Sequence, residues 1–65
     1  MEKLVIKLQN QAHELAEQHG DLGKFLKSPN YVNIANTQKV LLIKQFTGMT
    51  MYLEALESRI KDLTS

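Results

Sequence analysis

Four lysines, Lys24, Lys27, Lys39 and Lys44, fall in a stretch with no acid at all, because no Asp or Glu occurs between Asp21 and Glu54. The overall formal charge of +1 conceals this: the seven acids sit at the two ends, and the middle carries four positive charges against none. Clustered lysines raise the local concentration of phosphate-bearing ligands, so this stretch is a candidate anion site. The plainer reading is a solvated charged patch. Other chemistry is scarce. His13 and His19 are six apart and face different sides of a helix, whereas a zinc site needs ligands three or four apart on one face. His13 and Glu14 are adjacent, so they point apart and form no acid–base pair. With no cysteine there is no thiol nucleophile, no thiolate metal site and no disulfide. Gly20 and Gly23 are a fragment of a nucleotide-binding motif, and they follow a helix instead of a strand. An enzyme is therefore not expected, and neither is a cofactor.

The chain must position these lysines with little material. Its 65 residues make one domain, spanning 1–65, at the lower edge of what buries its own core. Chains this small are reinforced by disulfides, metals or oligomerisation, and only the last remains open here. The longest aliphatic run, "VLLI", is far short of the roughly 20 residues that span a bilayer. The N-terminus lacks the apolar core and cleavage site of a signal peptide. A soluble, cytoplasmic protein with no membrane partner is expected.

The second half reads as one helix. Leu42, Phe46, Met49, Leu53, Leu56, Ile60 and Leu63 step by four and three, a seam sustained over three heptads. Asn36 or Thr37 would cap it, giving a helix over about 37–63, roughly 40 Å long. In the first half Leu8, Ala12, Leu15, His19, Leu22 and Leu26 also step by four and three. A parallel stripe of Leu4, Leu8, Gln11, Leu15, Gln18, Leu22 and Phe25 overlaps it, and a helix over about 2–27 satisfies both. Gly20 and Gly23 mark either a bend or the close approach of another backbone. Between the helices, residues 28–36, "SPNYVNIAN", hold Ser28 as an N-cap before Pro29 at the first helical position. The tip is thus a short helical turn with Tyr31 and Ile34 beneath it. The expected fold is all-α, an antiparallel helical hairpin.

A hairpin has one seam, yet the second helix has apolar residues to spare. Leu41, Gly48, Met51, Tyr52 and Ala55 lie off the main seam, and Gly48 and Ala55, seven apart, share a side. Such coverage on a short hairpin points to self-association; the plainer reading is that Met51 and Tyr52 flank the hairpin seam.

These residues carry a resemblance. Leu22, Phe25, Leu26, Ser28, Tyr31, Ile34, Leu41, Leu42, Gln45, Met49, Tyr52, Leu56, Arg59 and Ile60 follow the spacing of a known pattern. From Leu22 to Ile60, about 60% of the chain, the sequence resembles the helical-hairpin domain of phage anti-CBASS sponge proteins, shared with a class of anti-Thoeris sponges. The resemblance implies a compact homo-oligomer, typically a hexamer, working in the host bacterial cytoplasm. It implies a counter-defence protein that binds cyclic di- or trinucleotide immune signals and holds them without cleaving them.

A cyclic dinucleotide presents two phosphates and two flat bases, so its site needs cations or N–H donors and a stacking plane. Lys24, Lys27, Lys39 and Lys44 supply the cations, with Lys7 as a further candidate, and the second helix offers free N–H groups near Thr37. Tyr31, Phe25, His13 and Tyr52 are the stacking candidates. Asn30, Asn33 and Asn36 could read base edges, although turn capping is their more ordinary role. The family stacks a base on an aromatic early in its first helix, and this sequence has no Phe, Tyr or Trp before Phe25. The family pocket therefore does not carry over residue by residue. Tyr52 and Arg59 share a helix side and read best as packing residues, with Arg59 answering Glu14 or Glu17. A non-catalytic protein-interaction module is the alternative function. DNA binding is not expected, since neither helix carries a basic stripe.

Overall fold

His19 faces Thr50 and Gly23 faces Phe46, so moving four residues up one helix moves four down the other. This antiparallel register defines the fold. The computed structural model describes Met1–Ser65 as three helices: α1 (Glu2–Leu26), α2 (Pro29–Val32) and α3 (Asn36–Thr64). There is no strand, and α1 and α3 pack along their lengths into a rod of 46 × 15 × 14 Å.

The seam expected of α3 faces α1 at every position, from Leu42 to Leu63. On α1, the stripe Leu8, Ala12, Leu15, His19, Leu22 and Leu26 turns inward. The overlapping stripe does not, because Leu4, Gln11 and Gln18 are exposed. Two long amides are better solvated than packed against an aliphatic seam, and this decides the rotation of α1. The core is thin. Only Leu8 and Leu56 are buried, at 3% and 2% exposure.

One polar group is set into the seam. The His19 ring stacks on Phe46 with centroids 4.1 Å apart and planes 20° off parallel. Its Nε2 lies 2.7 Å from the Thr50 hydroxyl, which is 3.0 Å from the Phe46 carbonyl. Thr50 has one hydroxyl proton. With that proton on the carbonyl, the hydroxyl oxygen accepts from Nε2–H, and every member of the chain is satisfied.

The glycines of α1 do not interrupt the helix, and neither makes a backbone contact. The helix runs unbroken through both, and a Cβ on Gly23 would sit 3.3 Å from the Phe46 ring, so Gly23 makes room for a side chain. A Cβ on Gly20 would meet nothing within 4 Å. Gly20→Ala should therefore gain the full helix-propensity difference, about 1 kcal/mol, which raises the melting temperature by about 5 °C in a domain of this size. Gly23→Ala should gain less, because the ring it pushes is already held by His19. Thermal melts of the two variants check this, and equal gains would contradict the packing at Gly23.

The helix ends differ from expectation in a consistent way. Ser28 is the N-cap residue of α2, but its hydroxyl donates back to the Phe25 carbonyl at 2.8 Å and does not cap α2. The N-cap of α3 is Ala35, not Asn36 or Thr37, and it makes no side-chain bond. Ser28 thus serves the end of α1, where carbonyls are left without helical partners.

Candidate functional site

The tip gathers part of the candidate set. Lys24 and Lys27 stand exposed at the end of α1, three residues apart and so on neighbouring positions of the helix surface. Ser28 closes α1, Pro29 starts α2, and the single turn of α2 brings Tyr31 back over the hairpin. There Tyr31 meets Phe25 edge to face, with ring centroids 6.4 Å apart and planes at 84°. The Lys39 ammonium lies 5.6 Å from the Tyr31 centroid, over its face. The phenol hydroxyl reaches the Lys39 carbonyl in a long contact of 3.4 Å. Phe25, Tyr31 and Lys39 thus form one corner, with Lys24 and Lys27 near it at the end of α1.

Of the three asparagines, Asn33 caps: it is the C-cap residue of α2, its backbone N–H turned back to the Asn30 and Tyr31 carbonyls. The N-caps of α2 and α3 are Ser28 and Ala35, so Asn30 and Asn36 cap neither, and no asparagine side chain is hydrogen-bonded within the chain. Asn30 is exposed beside Tyr31, with its amide free to meet a base edge or a phosphate.

The other candidates lie elsewhere. Along α1, Lys7 is about 25 Å and His13 about 17 Å from Lys24, at 1.5 Å per residue. His13 is exposed and sits 3.3 Å from Glu17, one turn on, a surface contact of little energetic weight. Arg59 makes no ion pair, so the expected contact with Glu14 or Glu17 is absent, and Glu17 answers His13 instead. Within one chain, Lys7 and His13 do not join the tip group. The contact that sequence reasoning missed is Lys39 on Tyr31. Lysine and tyrosine eight residues apart across a turn carry no periodic signal.

Two surface concavities exist, and neither suits an anion. One, of about 170 Å³, runs along the hairpin and is lined by Gln11, Glu14, Leu15, Gln18, Tyr52 and Leu56. It is smaller than the roughly 300–1,000 Å³ usual for a small-molecule site. The other, about 390 Å³, is lined by Glu54, Glu57, Ser58 and Lys61, so acids outnumber the cation. No cluster of three His, Cys, Asp or Glu residues could hold a metal ion. No helix is long and apolar enough to cross a membrane.

The comparisons with known proteins bear on this arrangement. A family model described as Sequestin matches residues 2–62. A protein of Enterobacteria phage T4, named as an uncharacterized 7.5 kDa protein in the denB-rIIB intergenic region, is 41% identical over 39 residues. That alignment covers 60% of this chain and 61% of the phage protein, so the chain spans less than two thirds of its relative. No solved structure matches. The phage relative and the family match agree with the resemblance read from Leu22 to Ile60, and the match extends it over nearly the whole length. Omitting only Met1 and the last three residues, it places the chain in the Sequestin family.

Proposed function

We propose that this protein sequesters a cyclic oligonucleotide immune signal, holding a cyclic di- or trinucleotide without cleaving it. The observation that carries the reading is the tip: an acid-free stretch in which cations flank an aromatic corner. Phosphates find Lys24, Lys27 and Lys39 there, a base finds Tyr31 or Phe25, and Asn30 offers an amide for its edge. Nothing in this set need do more than bind. The family name supports the sequestering role, and a phage relative supports a place in counter-defence, inside the host bacterium.

The ligand would lie between chains. Neither surface concavity of one chain combines the size and charge that such a molecule needs, and Lys7 and His13 can approach a tip only on another copy. The protein is accordingly a homo-oligomer in this reading, with the hexamer implied by the resemblance as its expected size. Surface area supports assembly. A compact monomer of 7.4 kDa exposes about 4,200 Å², whereas this chain exposes 5089 Å². The difference, about 900 Å², is close to the roughly 800 Å² that each partner buries in a standard interface.

Calorimetric titration against a panel of cyclic di- and trinucleotides and cyclic ADP-ribose isomers tests the function. Tight binding to at least one, with the ligand recovered intact after heating, is expected. Hydrolysed ligand in the recovered fraction would show an enzyme. No heat across the panel would favour the second reading, a protein-interaction module working through the exposed apolar side chains of α3.

A further inference from the structure

Helix α3 carries apolar side chains on more than one face. Its seam faces α1, yet Leu41, Met51 and Tyr52 remain 49%, 66% and 56% exposed. A helix with apolar residues on so much of its circumference belongs in an interior. Leu41, Gly48 and Ala55 are spaced by seven, so successive members drift only about 20° around the axis and line up along one side. Gly48 has no role within the chain. It lies mid-helix, where glycine costs about 1 kcal/mol relative to alanine, and a Cβ there would meet nothing within 4 Å. What glycine offers at such a place is a close approach for another helix.

We propose that this side of α3 packs against α3 of a second copy, antiparallel, about a two-fold axis at Gly48. With Gly48 on the axis, residues equally far from it on either side face each other across the pair. Leu41 then meets Ala55 of the copy, a large side chain against a small one. Lys44 meets Tyr52, a cation–π pair. The charges select the same direction. Residues 36–49 hold Lys39 and Lys44 and no acid, a charge of +2, while residues 50–64 hold Glu54, Glu57 and Asp62 with Arg59 and Lys61, a charge of −1. An antiparallel pair sets the positive half against the negative half, whereas a parallel pair sets Lys44 against Lys44. The pairing goes beyond the proposed function and uses none of its ligand chemistry.

The absence of cysteine makes the test clean. A disulfide needs Cα atoms within about 7 Å. Under mild oxidation Gly48→Cys should link to itself, because the axis passes through it. Leu41→Cys and Ala55→Cys should each fail to self-link, being about 21 Å from their own symmetry mates along the axis, and should link when mixed. Glu54→Cys, about 120° around the helix from Gly48, should not link. Self-linking by Leu41→Cys would show a parallel pair, and a mixture that fails to link would overturn the register whatever Gly48→Cys does. Gly48→Leu should lower the solution mass of the assembly while far-UV circular dichroism stays helical. An unchanged mass would also overturn the proposal.

Discussion

Replacing Leu56 by alanine should cost the folded chain about 3 kcal/mol, within the usual range for truncating a buried leucine, and lower its melting temperature by about 15 °C. The size of the effect follows from the thinness of the core. Leu56 is 2% exposed and Leu8 is the one other buried residue, so no second layer can close over the cavity. A domain of this length has only a few kcal/mol to lose, and the variant should be substantially unfolded at modest temperature. Val32→Ala, on the exposed side of α2, should change stability by less than about 0.5 kcal/mol. Far-UV melts of the two variants measure the contrast. Similar melting temperatures would contradict the placement of the core.

Lys39→Met should weaken binding of a cyclic dinucleotide by about 10- to 100-fold. A hydrogen bond to a charged group contributes roughly 1.5–3 kcal/mol, and each 1.4 kcal/mol is about tenfold. Tyr31→Leu should weaken it by a comparable factor, since stacking a base on an aromatic contributes about 1–3 kcal/mol. In the free chain Lys39 covers the face of Tyr31, 5.6 Å from its centroid. A half-buried cation–π contact such as this is worth about 0.5–2 kcal/mol, less than base stacking and phosphate pairing together. On the proposed reading, an incoming nucleotide would displace the ammonium from the ring onto a phosphate, and two contacts of the ligand would replace one within the chain. Lys61→Met, beside Glu54 and Glu57 at the other end of the hairpin, should leave affinity unchanged. Calorimetry on the three variants checks this, with circular dichroism to show that each is folded. Equal affinity for Lys39→Met and the parent chain would remove the tip from the binding account.

The helical pairing was legible in the sequence because a seam stepping by four and three leaves one consistent inward face on α3. Less was decided on α1, where two stripes overlapped, and the choice between them fell to the exposure of Gln11 and Gln18. The role of Gly23 was not legible either, since its neighbour Phe46 lies across the hairpin and only the register brings them together. At the start of the tip the expected N-cap position, Ser28 before Pro29, holds, although its hydroxyl does not cap; at the start of α3 the cap lies elsewhere. Asn36 and Thr37 are good capping types, but the chain enters α3 one residue earlier, at Ala35, and Ser28 bonds backward to Phe25. Of the candidate site, the acid-free stretch was plain from charge order. The Phe25–Tyr31–Lys39 corner was not, because it depends on the angle at which one turn of α2 redirects the chain. Distance along α1 separates Lys7 and His13 from that corner, and their part in binding rests on a second chain.

Native mass spectrometry of the protein with a cyclic dinucleotide tests the central claim most directly, because one spectrum gives the number of chains, the number of ligands and the mass of each ligand. The account predicts a closed oligomer carrying a whole number of ligands at their intact mass. A monomer without ligand, or ligand recovered at the mass of its hydrolysis product, would contradict it.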